Sequence, residues 1–203
     1  MVISVDEELK KVVEFHGHLC PGLAIGYRVA KYVQKFFKKS EDEELVAIVE
    51  NNSCSVDAIQ YMLSCTFGKG NLIFKDNGKH VYTFYSRNTG KAIRIYFKKY
   101  MFEEFSDKFH VKEFLKKYNS GELSKEELEL FNKIRSEATN NILNAKDDDL
   151  FDVKEVEIEP PKKAKLFPSI KCQECGEYFM EIKGRVINGK IVCKECFEKL
   201  VRG

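Results

Sequence analysis

The chain has 203 residues, 43% of them hydrophobic and 33% charged, which permits a buried core and places it between one domain and two. Its 34 basic and 32 acidic side chains leave a net charge of +2, too little for a global field that recruits nucleic acid or an anionic membrane. The charge is divided unevenly, with 24 basic and 27 acidic groups in the first 159 residues and 10 and 5 in the last 44. No run of eighteen apolar residues could span a bilayer, and the first residues have neither the basic start nor the apolar stretch of a secretion signal, so the expectation is a cytoplasmic protein. In that setting seven cysteines read as reduced thiols serving as metal ligands.

In chain order, Ser4 and Glu7 have the spacing of a capping box that opens a helix to about Phe15, with Val5, Leu9, Val12 and Val13 on its apolar face. HGHLCPG interrupts it. Pro21 suits the first position of a second helix reaching about Lys38, with Cys20 at its N-cap and Leu23, Val29, Val33 and Phe36/Phe37 along one stripe. LVAIVEN reads as a buried strand, and SVDAIQYMLSCTF as a helix whose first turn holds Cys54 and Asp57. GKGNL is a turn. HVYTFYSR and AIRIYFKKY, split by Asn88 to Lys91, predict a β-hairpin.

Phe109 to Tyr118 reads as a short helix. Ser124 and Glu127 cap a long one to about Asn144, with Leu128, Phe131, Ile134 and Ile142 on one side, and DVKEVEIE closes the unit as a strand. The fold class is therefore α+β, a core of helices and antiparallel sheet over residues 1–159. PPKKAKLFPSI, residues 160–170, has no periodicity and reads as a linker to a small domain over 171–203.

In that small domain Cys172-x-x-Cys175 and Cys193-x-x-Cys196 lie 17 residues apart, the spacing of a two-knuckle zinc site. Two cysteines three apart at a tight turn can face one ion, and two such pairs complete a tetrahedron with no open position, so this zinc is structural. The intervening segment reads as a hairpin turning at Asn188-Gly189, and CFEKLVRG as a helix, an order that resembles a treble-clef finger. A module this small depends on its metal for stability.

In the core, His16, His18 and Cys20 fall within five residues, and Cys54 and Cys65 add soft donors. Three or four of these could converge on one ion if the two helix N-termini face each other. Equally, Cys20 and Cys54 at helix N-termini could be reactive thiols, or the group could be buried cysteines beside a helix-ending histidine pair. Asp57 could orient a histidine or cap its own helix.

FHGHLCPGLAIGYRVA, NNSCSVDAIQ, CTFGKGNL and NTGKAIR, in that order over roughly residues 9 to 100, resemble the FmdE family, named for a component of formylmethanofuran dehydrogenase. The resemblance implies an α+β core that forms an intertwined homodimer, in some members followed by a treble-clef zinc finger. It implies a core metal site on His16, His18, Cys20 and Cys54, with Asp57, Lys69, Gly70, Asn71 and, as the weakest member, Cys65 in the cleft. The family name refers to an enzyme that reduces carbon dioxide onto methanofuran with molybdopterin and iron–sulfur carriers. None of that machinery is legible in this sequence, which has no ferredoxin-type cysteine run.

The chain is accordingly read as a metal-binding protein accessory to that step of methanogenesis, with zinc in the finger, a second transition metal (zinc in the first instance) in the core, and other subunits of the enzyme as partners. Two alternatives stand beside this. One is a hydrolase in which zinc on His18, Cys20 and Cys54 activates water, with Asp57 or His16 as base. The other is a metal-responsive regulator binding nucleic acid or protein through the finger and its lysine-bearing linker.

Overall fold

A computed structural model describes residues 6–98 and 111–202. The chain divides into two compact units, Met1–Lys163 and Ala164–Gly203. Ser4, Val5, Lys99, Tyr100, Phe109 and His110, which figure in the expected first helix, second hairpin strand and short helix, lie outside the described residues.

The first unit opens with α1 (Glu7–His16). Its cap is Asp6, not Ser4: the Asp6 carboxylate accepts the Leu9 N–H at 2.7 Å and also the Tyr27 hydroxyl at 2.6 Å, so one side chain starts α1 and ties it to the next helix. Glu7 and Glu8 in the first turn complement the helix dipole. Gly17, at φ +98°, ends the helix, a backbone state that few other residues adopt without strain, and it leaves His16 as the last helical residue.

Next come α2 (Pro21–Val33), β1 (Leu45–Val49), α3 (Ser55–Leu63), β2 (Leu72–Phe74), β3 (Val81–Ser86) and β4 (Ala92–Phe97). They are followed by α4 (Val111–Ser120), α5 (Lys125–Asn144), the single turn α6 (Asp147–Leu150) and β5 (Phe151–Val156). The helix α2 stops before Lys38 because the amides of Lys35 and Phe36 turn back onto the Tyr32 and Val33 carbonyls, three residues behind instead of four. The capping box of Ser124 and Glu127 forms in both directions, but Leu128 is 45% exposed while Phe131, Ile134 and Ile142 are buried.

The strands form one sheet in the order β2-β1-β3-β4-β5, antiparallel except for β1–β2, which run parallel with Ala47 opposite Leu72. Sequence reading missed β2, since three residues are too short to show a period of two. Leu45, Ala47 and Val49 of β1, Tyr82 and Phe84 of β3, and Ile93, Ile95 and Phe97 of β4 face the helices and share one core with Leu23, Val29, Ile59 and Leu63. Each fully buried large side chain contributes roughly 1.5–3 kcal/mol. Val46, Tyr85 and Ala92 point to the other face and form a smaller cluster with Ile73 and Val156, so the interior strand β1 is buried throughout.

Arg28 of α2 fastens the far end of α5. Its guanidinium donates to the carbonyls of Ile142 (2.6 Å), Leu143 (2.8 Å) and Ala145 (2.7 Å) and to the Asp147 carboxylate (2.8 Å). A cation at a helix C-terminus satisfies carbonyls that have no partner within the helix and complements its negative end.

The second unit contains β6 (Ser169–Lys171), β7 (Tyr178–Met180), a 3-10 turn (Glu181–Lys183), β8 (Arg185–Ile187), β9 (Lys190–Val192) and α7 (Lys194–Arg202). β6 pairs with β7 and β8 with β9, both antiparallel, and Ser169 and Ile170 pair within β6 although their sequence reads as linker. Asn188 and Gly189, at φ +50° and +75°, make the tight turn their dipeptide predicts.

Candidate metal centre

Two glycines bring the core donors together. In α2, a Cβ on Gly22 would stand 3.1 Å from the Cβ of Cys54, and a Cβ on Gly26 only 2.0 Å from the Ser55 carbonyl oxygen. The glycine pair four residues apart therefore lets α2 lie directly on the start of α3, which sets Cys20, the N-cap of α2, beside Cys54, the N-cap of α3. The loop bearing Cys54 is held by a polar network: Asn51 Oδ1 accepts from the hydroxyls of Ser53 (2.7 Å) and Ser55 (3.2 Å), and the buried Tyr82 hydroxyl donates to Ser55 at 2.7 Å.

His16 enters from the end of α1. Its Nε2, Cys20 Sγ and Cys54 Sγ all lie within 4.8 Å of one another, with Cys20 Sγ and Nε2 at 4.0 Å. Its other nitrogen, Nδ1, is 2.7 Å from Asp57 Oδ2, while Gln60 Nε2 donates to Asp57 Oδ1 at 3.4 Å. A carboxylate on Nδ1 keeps the proton there and leaves the Nε2 lone pair directed at the thiols, the outer partner that metal-binding histidines ordinarily have. Burial pushes the Cys54 thiol up, and the neighbouring Cys20 sulfur adds to the shift. Cys54 thus resists ionising without a cation beside it.

The donor set fits a four-coordinate metal. Bonds of about 2.3 Å to sulfur and 2.0 Å to nitrogen put tetrahedral donors roughly 3.5–3.8 Å apart, which small side-chain shifts reach from the observed spacing. Two thiolates and one imidazole favour zinc among the common divalent ions and leave a fourth position open.

The other expected residues lie elsewhere. His18 is exposed and stacks its ring on His16, with centroids 4.7 Å apart, outside the three-donor cluster. Cys65 is fully buried in the main core, its thiol donating to the Leu45 carbonyl at 3.4 Å, and burial pushes its pKa up to about 12. Asn71, also fully buried, is a structural clasp: Nδ2 donates to the carbonyls of Leu45 (2.9 Å), Asp42 (3.1 Å) and Ser64 (3.2 Å), and Oδ1 accepts the Thr66 N–H at 2.9 Å. Lys69 and Gly70 belong to the turn before it, Gly70 at φ +79° and Lys69 with its N–H on the Thr66 hydroxyl. The sequence did contain a signal for the two α2 glycines, their G-x-x-x-G spacing in PGLAIG, and it went unread.

In the second unit the four sulfurs of Cys172, Cys175, Cys193 and Cys196 lie within 4.8 Å of one another. Gly176, at φ +79°, donates to the Cys172 carbonyl at 2.9 Å, and Cys172 N–H donates to the Glu177 carbonyl at 2.8 Å, which folds the first pair into a knuckle. Cys193 N–H donates to Cys172 Sγ at 3.3 Å. Burial opposes charge on Cys172, but this donor and the amides of Cys175 and Glu174 outweigh it and hold the thiol at about 6. Burial and the three neighbouring sulfurs push Cys196 up to about 12, so the cluster cannot ionise fully until a cation enters.

A mixed-sheet unit with a Cys₂His cluster and a second unit built on four cysteines define a two-unit metal-binding protein. The family described as FmdE, molybdenum formylmethanofuran dehydrogenase operon, matches residues 15–152, and the prokaryotic dksA/traR C4-type zinc finger matches residues 165–202. The chain belongs to the FmdE family and carries a C4-type zinc finger behind that domain. It is similar to a protein of Archaeoglobus fulgidus described as a probable S-adenosyl-L-methionine-binding protein, with 31% identity over 194 residues, 93% of this chain and 52% of that protein. The chain thus spans about half the length of that curated relative. A crystal structure of a tungsten formylmethanofuran dehydrogenase FmdE-like protein from Syntrophus aciditrophicus shares its fold, with a TM-score of 0.59, 24% identity and coverage of 95% of this chain and 91% of that one. Among the described residues, no helix is long and apolar enough to cross a membrane.

Proposed function

We propose that this chain is a metal-binding protein accessory to the formylmethanofuran step of carbon dioxide reduction, holding zinc in its core on His16, Cys20 and Cys54 and a second, structural zinc in its finger. One observation carries the core assignment: three donors from three separate segments converge within 4.8 Å, and the histidine among them is already oriented by Asp57. When bound, zinc would supply Lewis acidity at the position these three residues leave open. Family membership supports the association with formylmethanofuran dehydrogenase subunits and the homodimer. The order of knuckle, hairpin and helix supports a treble clef for the finger.

The hydrolytic alternative is weaker on this geometry. It requires a base, and both residues expected to act as one are engaged, His16 through Nε2 toward the thiols and Asp57 on Nδ1. Elemental analysis of protein purified without added metal tests the proposal. The expected result is two ions per chain in the wild type and one in Cys54→Ala. A single zinc in both proteins would overturn the core assignment, and failure of the full chain to copurify with formylmethanofuran dehydrogenase subunits would overturn the accessory role.

A further inference from the structure

Beside the core donors lies a cleft of about 290 Å³, at the lower end of the range for small-molecule sites. One wall is the segment that carries Cys20, through His18 and Pro21. The other is a face of α5, through Asn132, Arg135, Ser136 and Asn140. Spacings of three, four and eight put these α5 residues on one face, and that face is polar although it looks onto another part of the fold.

Among the described residues, two of its groups lack a hydrogen-bond partner. Asn140 Oδ1 is buried with no hydrogen bond, the one such side-chain atom among the described residues, and an acceptor in that state is costly unless a ligand supplies a donor. The Arg135 guanidinium rests over the Phe131 ring at 5.5 Å, and among the described residues no carboxylate or carbonyl meets it. Among the described residues no Asp or Glu lines the cleft, and Arg135 brings a positive charge to it. It also adjoins the donor cluster, since His18 stacks on the ligand His16 and Pro21 follows Cys20.

We propose that this cleft binds a small carboxylate that carries a hydroxyl or amine on the neighbouring carbon, with the carboxylate on Arg135 and the N–H or O–H donating to Asn140 Oδ1. The placement beside the metal rests on the core-metal reading; the binding contacts do not. Arginine and a carboxylate form a charge-assisted pair, and a single buried acceptor selects for one donor on the ligand. The ligand would thus lie against His18 and Pro21, residues on either side of Cys20 in the chain.

The test is an NMR titration of the full, zinc-loaded chain with glycolate, and with acetate as the analogue that lacks the hydroxyl. Saturable millimolar binding of glycolate is expected, weakened about tenfold in Arg135→Gln and several-fold for acetate in place of glycolate. Asn140→Leu should remove the preference for glycolate over acetate and serves as the second variant should Arg135→Gln fold poorly. Equal affinity in the wild type and Arg135→Gln, or no saturation by roughly 50 mM, would overturn the cleft. Binding lost in Cys54→Ala but kept in Arg135→Gln would place the carboxylate on the metal and overturn it equally. Metal content measured on the same samples separates the two readings: a wild type with only the finger zinc sinks the core metal, while the Arg135 dependence still decides the cleft.

Discussion

Asp57 illustrates how one residue can have a role that its position in the sequence leaves open. In the first turn of α3 an aspartate would ordinarily favour the helix dipole, yet here its Oδ2 lies on His16 Nδ1 at 2.7 Å. Asp57→Asn should therefore lower core metal affinity about 10–100-fold and leave the finger zinc unchanged, as read by competition with a chromogenic chelator. Cys65 makes a different prediction. Burial raises its pKa to about 12, above the unfolded value of about 8.5, so its stabilising contribution is complete below that value and is lost as pH rises toward 12. Between about pH 8 and pH 10 the wild type should lose about 2 kcal/mol more urea stability than Cys65→Ser, whose hydroxyl does not titrate there. Equal losses in the two proteins would show that the thiol ionises freely.

At the scale of elements, the contact between α2 and α3 governs the core centre. Any side chain at Gly26 must displace the Ser55 backbone, so Gly26→Ala should cost about 3 kcal/mol in thermal or urea unfolding and, on the proposed core assignment, release the metal held there as the helices part. A variant that kept both metal ions and wild-type stability would refute the close-approach argument. The α5 terminus depends on Arg28 in the same way. Arg28→Ala leaves the carbonyls of Ile142, Leu143 and Ala145 without their donor, while Asp147 keeps Lys35 at 2.6 Å, and the expected loss is at least about 2 kcal/mol. Much of this level was legible beforehand. The hairpin β3–β4 alternates with a period of two, and Ser124 and Glu127 announced the start of α5. By contrast, β2 is too brief to carry a pattern, and Asp6 caps α1 through the Leu9 N–H at the same spacing of three that Ser4 and Glu7 offer in the sequence.

For the whole molecule, two compact units, each with its own group of metal-ligating side chains, should respond separately to loss of the finger zinc. Cys175→Ser should remove one zinc per chain and open residues 164–203 to proteolysis, while a fragment close to residues 1–163 remains resistant, as mass spectrometry would show. The finger has little apolar interior beyond Val192 and the cysteines themselves, so the metal must supply most of its stability. The first unit has a core that spans both faces of its sheet and does not depend on zinc in that way.

The sequence by itself determined the finger, because Cys172, Cys175, Cys193 and Cys196 lie in two short motifs whose local turns dictate where the sulfurs point. It also determined the α+β class, since apolar periods of 2 and 3.6 are local properties of the chain. Only the tertiary structure decided the core centre. His16, Cys20 and Cys54 come from three segments, and whether His16 or His18 joins the cysteines depends on how α1 ends at Gly17 and how closely Gly22 and Gly26 let α2 approach α3. The polar face of α5 was likewise invisible as a cleft until that helix lay against the segment carrying His18, because spacing along a helix defines a face but not what that face meets.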